Sequence, residues 1–440
     1  MTLRFGTDGV RGDADADLTP TLVAALGRAA ARVFGTDRPF VVGRDTRESG
    51  PRLAADLTAG LRAEGADVID AGVVSTPVVA FLAADLDARA AMVSASHNPF
   101  TDNGIKLFER GGKKLADDAE AAVEHELAAL ASRARPPDGA PGRAVPDGAL
   151  DRYVDHVVDT IDGRRLDGLP VVLDTANGAA TALAPRAFAR LGADVHVIHA
   201  APDGRNINAA CGSTHPDDLR REVTSRGAVL GLAFDGDADR VIAVDERGDL
   251  VDGDRILAIV ALDLHARGAL RADTVAVTVM SNLGLRRALD AAGITVIETP
   301  VGDRAVLAAM EARGLALGGE QSGHIIFGDR ATTGDGLLTG VVLADAVVRA
   351  GRPLSELAAV VESVPQRLEN VRVGGPVDLD HPTIAAAIAA VAAQLGERGR
   401  VLVRPSGTEP LVRIMVEAPT DDELEATLAV LRTAVHEVAG

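Results

Sequence analysis

Leu61-Arg62-Ala63-Glu64-Gly65-Ala66-Asp67-Val68-Ile69 reads as the end of a helix, a stop, and the start of a strand. Gly65 supplies the left-handed residue that closes a helix, and the β-branched pair that follows favours an extended chain. The phrase returns at Phe188-Ala189-Arg190-Leu191-Gly192-Ala193-Asp194-Val195-His196-Val197, and again at Leu289-Asp290-Ala291-Ala292-Gly293-Ile294-Thr295-Val296-Ile297. One such junction means little, because helices often end on glycine. Three of them, spaced on the order of 100 residues or somewhat more, match one domain each and point to related α/β units in tandem, with chance recurrence of a common junction as the alternative.

Outward from these phrases, helical patterns alternate with short Val/Ile-rich runs, as α/β units do. Pro136-Pro137-Asp138-Gly139-Ala140-Pro141-Gly142 lies between Ser132 and Gly148, and neither periodicity crosses it. The first domain is expected to end there. A second unit runs from about Leu150 through a strand at Val229 to Phe234, and a third from beyond Gly253 to about Val364. The remainder reads differently. Val371-Arg372-Val373 is a strand, Pro382 to Leu395 an Ala-rich helix, Arg400 to Arg404 and Leu411 to Glu417 a strand pair, and Asp421 to Val438 a helix. That is the make-up of an α+β domain on a small antiparallel sheet.

Composition narrows the partners. A chain of 440 residues exceeds what one core fills, and with no Trp, one Tyr and nine Phe its cores must be built from Ala, Val, Leu and Ile. A net charge of -19 argues against nucleic acid or an anionic membrane as partner, so basic groups for an anionic substrate must be gathered locally. The single cysteine, Cys211, forbids an internal disulfide and fits a reducing compartment. With no apolar signal core at Met1-Thr2-Leu3-Arg4-Phe5-Gly6 and no uncharged run of about twenty apolar residues, a cytoplasmic protein is expected.

Four strand ends carry chemistry. At Met92-Val93-Ser94-Ala95-Ser96-His97-Asn98-Pro99 an apolar run stops at Ser96, and Pro99 prevents its continuation. Ligands of α/β proteins bind outside the carboxyl ends of strands, so a hydroxyl there is placed as a nucleophile would be, although an ordinary turn uses the same residues. Ala233-Phe234-Asp235-Gly236-Asp237-Ala238-Asp239-Arg240 follows Val229-Leu230-Gly231-Leu232. Alternate residues of an extended segment face one way, so the three carboxylates are expected to converge. Two carboxylates about 4 Å apart repel by roughly 4 kcal/mol at an effective dielectric near 20. A hard cation with open positions, Mg²⁺ rather than caged Ca²⁺, answers that repulsion; a solvated acidic turn is the alternative.

Arg404-Pro405-Ser406-Gly407-Thr408-Glu409-Pro410 joins two strands, with Arg413 on the second, and offers guanidiniums, hydroxyls and backbone donors to a phosphate. A polar-decorated hairpin is the alternative. Gly318-Gly319-Glu320-Gln321-Ser322-Gly323-His324 again ends a strand, with Glu320 and Ser322 suited to sugar hydroxyls or an amine and His324 to a proton, or else to a Gly-rich turn with a structural histidine. Lys106 lies beyond the Ser96 loop, where an exposed lysine beside a turn would be ordinary. Gly6-Thr7-Asp8-Gly9-Val10-Arg11-Gly12 and Gly43-Arg44-Asp45-Thr46-Arg47 add Gly-spaced basic residues to the same domain.

Together these loops resemble the α-D-phosphohexomutase superfamily, and within it the bacterial phosphoglucosamine mutase branch. Thr7 to Gly12, Ser94 to Pro99, Asp235 to Arg240, Gly319 to His324 and Arg404 to Pro410 stand in the family's order along the whole chain. Cys211-Gly212-Ser213-Thr214-His215, Val301-Gly302-Asp303-Arg304 and Ala331-Thr332-Thr333-Gly334-Asp335-Gly336 resemble the glucosamine branch.

The resemblance implies three related α/β domains and a C-terminal α+β domain around a central cleft, with boundaries expected at 1–149, 150–253, 254–364 and 365–440. It implies a phosphoserine at Ser96, with Mg²⁺ held by Asp235, Asp237, Asp239 and the serine's phosphate. Arg11 and Arg240 would lie near that phosphate, Lys106 and His324 would move protons, and Glu320 and Ser322 would hold the sugar. Arg404, Ser406, Gly407, Thr408 and Arg413 would grip the non-reacting phosphate. The implied reaction interconverts glucosamine 6-phosphate and glucosamine 1-phosphate through a 1,6-bisphosphate, feeding amino-sugar nucleotide and cell-wall precursor synthesis, in a homodimer. A mannose or glucose phosphate mutase, a metal-dependent phosphatase acting through Ser96, and a non-catalytic sugar-phosphate binder are the competing readings.

Overall fold

The computed structural model describes residues 9–130, 141–375, 377–405 and 410–439. Its strands form four sheets of six, five, four and three strands. The first three repeat one design. In each, the earliest strand of the repeat lies in the middle, flanked by two parallel neighbours: Phe40–Arg44 between Val68–Val73 and Arg89–Val93, Pro170–Asp174 between Asp194–Ile198 and Leu230–Phe234, Thr274–Thr278 between Thr295–Thr299 and Leu317–Gly319. The third parallel strand then reverses into an antiparallel partner. Arg89–Val93 turns into Asp102–Phe108, Leu230–Phe234 into Val241–Asp245, and Leu317–Gly319 into Ile325–Phe327. Each reversal is one of the loops singled out in the sequence.

The recurring junction phrase occupies the same place in each repeat. Helices Gly50–Ala63, Ala184–Arg190 and Leu283–Ala291 end just before Gly65, Gly192 and Gly293, whose φ angles are +90°, +89° and +76°. The capping bonds match as well. The N–H of Gly65 reaches Arg62 O at 2.9 Å and that of Ala66 reaches Leu61 O at 3.2 Å; Gly192 and Ala193 bond Ala189 O and Phe188 O at 3.0 and 3.1 Å. Each junction leads into the second strand of its sheet.

Inner strands are buried along their whole length, as in a sheet covered on both faces: Leu230–Phe234 is apolar throughout, and Thr274–Thr278 is apolar between its two terminal threonines. The first sheet gains Val10–Asp13 on one edge and Arg143–Ala144 on the other, so the chain returns to it beyond the Pro/Gly stretch, of which Ser132 to Ala140 lie outside the described residues. The fourth sheet is antiparallel, with Leu411–Glu417 between Gln366–Arg372 and Arg400–Pro405. Helices Pro382–Leu395 and Asp421–Ala439 supply Ile384, Val391, Leu424 and Leu428 to its core. Its first strand begins at Gln366, five residues ahead of the expected start at Val371, because Gln366–Asn370 pair along Leu411–Glu417 although most of them stay exposed.

The chain divides into two compact units. One runs up to Met280 and includes Ile294–Val360; the other comprises Ser281–Gly293 with the segment from Val361. The helix Leu283–Ala291, which follows the third sheet's central strand in sequence, is thus counted with the C-terminal sheet. Among the described residues no helix is long and apolar enough to cross a membrane.

Gly65 has no atom within 4 Å of where a Cβ would stand, so only its positive φ demands glycine. Gly65→Ala is therefore expected to cost about 1 kcal/mol in denaturant unfolding and to leave turnover unchanged.

Candidate active site

The reversal after Arg89–Val93 carries Ser96, buried, with φ +53°. Its Oγ donates to Asp235 Oδ2 at 2.5 Å and lies 3.4 Å from His97 Nδ1. Asp235 belongs to the reversal of the second sheet, 139 residues away in sequence. The two loops meet closely because Gly236 has no side chain: a Cβ there would stand 2.6 Å from Ser96 O.

Asp235, Asp237 and Asp239 do converge, with one ligand atom from each lying within 4.8 Å of the others. They do so through a turn, not as alternate residues of an extended segment. Leu230–Phe234 and Val241–Asp245 pair up to Phe234 and Val241, so the six residues between them must reverse the chain, and Ala238 enters the left-handed region at φ +54°. Asp237 is fixed from the first sheet's side by Thr76, whose Oγ1 donates to Asp237 Oδ2 at 2.6 Å and whose N–H donates to Asp237 O at 2.9 Å.

Lys106 is not the exposed lysine its setting suggested. It lies on Asp102–Phe108, buried, with Nζ 2.8 Å from Asp237 Oδ2 and 3.1 Å from Asp239 Oδ2. One ammonium does not satisfy the cluster, since Asp237 Oδ1 and Asp239 Oδ1 are buried and accept no hydrogen bond from the described residues. Bare carboxylate oxygens in an all-oxygen set fit a hard divalent cation. Asp235 and Asp239 are shifted in opposite directions. Burial, and then repulsion from Asp239 and Asp237, pushes Asp235 well above the usual carboxylate range. Burial also raises Asp239, but Lys106, His324 and Arg240 outweigh it and hold that carboxyl well below.

From the third sheet, His324 enters buried on the reversal Glu320 to His324, with Nδ1 3.7 Å from Asp239 Oδ1 and Nε2 3.4 Å from Asp303 Oδ2. The N–H of Gly334 donates to Nε2 at 3.0 Å, which assigns the ring proton to Nδ1, facing Asp239. Burial disfavours the imidazolium, yet Asp239 and Asp303 raise the pKa above its ordinary value. Because the Gly334 N–H fills the Nε2 lone pair, the proton this ring can exchange is the one on Nδ1, which faces Asp239. Glu320 Oε1 accepts from Gly302 N at 3.2 Å, and exposed Ser322 donates to Glu320 Oε2 at 3.5 Å. Arg11 stands opposite Gly104 on Val10–Asp13, and Arg240 N donates to Asp235 Oδ1 at 3.2 Å. Both arginines bear on the Ser96 loop: after burial, they are the groups that lower the pKa of His97.

In the C-terminal unit, Arg404 and Arg413 are cross-strand partners. Placing like charges opposite each other is unfavourable without an anion to share; burial and then Arg413 lower the pKa of Arg404, and Arg413 Nε is buried with no hydrogen bond among the described residues. Ser406, Gly407 and Thr408 lie outside the described residues. Sequence reasoning missed Thr76, Asn208 and the role of Arg47. Only Arg47 left a signal, as a charged residue following Phe40–Arg44 in a Gly-spaced loop.

Four family profiles cover nearly the whole chain: phosphoglucomutase/phosphomannomutase alpha/beta/alpha domain I at residues 2–134, domain II at 151–248, domain III at 252–364, and the C-terminal domain at 357–434. A phosphoglucosamine mutase of Moorella thermoacetica is 53% identical over 435 residues, 97% of this chain and 98% of that protein. One from Salinispora tropica is 54% identical over 428 residues, 95% of this chain and 94% of the other. A phosphoglucomutase/phosphomannomutase family protein of Burkholderia thailandensis superposes with a TM-score of 0.80 at 27% identity, over 98% of this chain and 97% of that one. The fold is shared with Aspergillus fumigatus N-acetylphosphoglucosamine mutase, solved with GlcNAc-6P and magnesium, at a TM-score of 0.70 and 19% identity over 100% of this chain and 96% of the other.

Gly236→Ala is expected to push the Ser96 loop off the carboxylates. Since a shift near 1 Å in reacting groups costs up to about a hundredfold, steady-state turnover should fall by at least about tenfold with little loss of melting temperature.

Proposed function

The chain belongs to the phosphoglucomutase/phosphomannomutase family, and we propose that it works there as a phosphoglucosamine mutase, interconverting glucosamine 6-phosphate and glucosamine 1-phosphate. Curated relatives more than half identical over nearly their whole length carry that activity in their names. The observation that carries the mechanism is the buried Ser96 hydroxyl held against Asp235, beside two further carboxylates with bare oxygens.

Phosphate monoesters react very slowly without help, so catalysis must come from positioning and charge neutralisation. Ser96 carries the phosphate of the working enzyme. The O1 hydroxyl of glucosamine 6-phosphate attacks phosphorus, the bond to Ser96 Oγ breaks as the new one forms, and the hydroxyl proton passes to a base. The resulting 1,6-bisphosphate turns round. Ser96 Oγ then attacks the phosphate on O6, the P–O6 bond breaks as a proton passes to O6, and glucosamine 1-phosphate leaves with the phosphoserine restored. Asp235, Asp237 and Asp239 would hold Mg²⁺, which when bound neutralises charge on the transferring phosphoryl group.

Lys106 and His324 reach the cluster from the first and third sheets and serve as the proton carriers. Arg11 and Arg240 face the transferring phosphate. Glu320 and Ser322 take the sugar, and Arg404, Ser406, Gly407, Thr408 and Arg413 hold the phosphate that does not react, the paired arginines being the support for that role. Because one grip takes either phosphate, the intermediate can reverse without the site being rebuilt. Domain boundaries at 149, 253 and 364 give each domain one loop. The single buried Cys211 supports a cytoplasmic setting, and the family resemblance supports a homodimer.

Glucosamine 6-phosphate is expected to turn over at least about tenfold more efficiently than mannose or glucose 6-phosphate, a difference of about 1.4 kcal/mol in transition-state binding. Isomer should form with little free phosphate. A preference for a neutral hexose would reassign the substrate, and stoichiometric release of phosphate would make the protein a phosphatase.

A further inference from the structure

Arg47 heads the largest fully buried side chains among the described residues, and the chemistry above makes no use of it. Its guanidinium donates to four carbonyls of a single loop. Nη2 reaches Ser96 O at 2.8 Å and Asn98 O at 2.9 Å, and Nη1 reaches Asp102 O at 2.9 Å and also Pro99 O. The remaining donor, Nε, pairs with Asp45 Oδ2 at 2.8 Å. Asp45 Oδ2 also accepts from Ser94 Oγ at 2.7 Å, and Ser94 Oγ in turn accepts the N–H of Ser96 at 3.0 Å. Both backbone polar groups of Ser96 are therefore tied, directly or through two side chains, to one arginine.

A second hand comes from the neighbouring sheet. Asn208 Nδ2 donates to the same two carbonyls, Ser96 O at 2.9 Å and Asn98 O at 3.1 Å. A carbonyl oxygen has two lone pairs, and at both positions two side-chain donors fill them. Between these grips Ser96 keeps φ at +53°, a region that a non-glycine residue occupies only when its surroundings impose it. Its Oγ is thereby aimed at Asp235.

We propose that Arg47 and Asn208 are positioning residues for phosphate transfer: together they clamp the loop 94–102 so that Ser96 Oγ stays on the carboxylate cluster in a backbone conformation the serine would otherwise leave. This rests on the reading of Ser96 as the phosphate carrier. A serine that gives up and takes back phosphate in every cycle must present the same oxygen in both half-reactions, and a loop free to relax would lose that alignment each time. The fork of arginine is required, because lysine offers one centre where the four carbonyls are spread over two nitrogens.

The test uses the full-length phosphorylated enzyme with Asn208→Ala and Arg47→Lys. Four quantities are read: kcat and KM for glucosamine 6-phosphate, single-turnover loss of phosphate from Ser96 followed by intact mass, and the melting midpoint. Phosphate loss and kcat should fall by about tenfold in Asn208→Ala and about a hundredfold in Arg47→Lys, with KM held within about twofold because neither side chain touches the sugar. Asn208→Ala should melt within a few degrees of the parent, so it decides the matter even if Arg47→Lys does not fold. Wild-type phosphate transfer in a folded Asn208→Ala protein, or a rise in KM with kcat unchanged, would overturn the positioning role while leaving the mutase reading intact. If the parent itself turned over without ever carrying phosphate on Ser96, it is the underlying reading that fails.

Discussion

Three carboxylates buried within 4.8 Å of one another are the constraint on which the rest of the site depends. At about 4 kcal/mol per pair in a dielectric near 20, their mutual repulsion comes to about 12 kcal/mol, comparable to the whole net stability of a typical domain. A fold keeps such a cluster only where cations meet it or a carboxyl holds its proton, as burial and its two neighbours favour for Asp235. Lys106 provides one cation from the first sheet and Arg240 lies beside the cluster in the turn, yet two carboxylate oxygens accept no hydrogen bond from the described residues. What is left over is the means to hold a divalent ion, and with it a phosphate that sheds charge as it moves.

The repeated topology explains how residues so far apart in sequence meet. In each of the first three sheets the third parallel strand reverses at the end where α/β proteins bind ligands, and each reversal has a different chemical task. One presents a hydroxyl, the next the carboxylates, the third a histidine and the polar groups around Glu320. Duplicating a scaffold in this way places three loops at equivalent positions while leaving their sequences free to diverge. The antiparallel C-terminal sheet uses another device, setting Arg404 and Arg413 directly opposite each other across two strands.

Much of this was legible in the chain because the controlling physics is local. A helix cap that needs positive φ selects glycine whatever its surroundings, so Gly65, Gly192 and Gly293 disclosed the repeat and the order of strands around it. Strand ends at Ser96, Asp235 and Glu320 were legible for the same reason. Where partners are distant, the sequence was silent. Lys106 meets Asp237 and Asp239 across 131 and 133 residues, so nothing near it distinguishes a buried ion pair from a surface lysine. The carboxylates converge as expected, but through the hairpin geometry forced by pairing of Phe234 with Val241, which a period-two reading of one segment cannot contain. Arg47 was visible as a basic residue in a Gly-spaced loop, while its burial and its four carbonyl partners follow only from the packing of two loops.

The account stands on Ser96 as a phosphate shuttle, loaded before the first turnover and reloaded in every cycle. Intact-mass analysis of the purified protein beside Ser96→Ala tests that claim most directly. One phosphate-sized increment in the parent, removed by glucosamine 6-phosphate in a single turnover and absent from an inactive Ser96→Ala protein, is the predicted result. Full mutase activity in Ser96→Ala, or an increment that the substitution leaves in place, would contradict it.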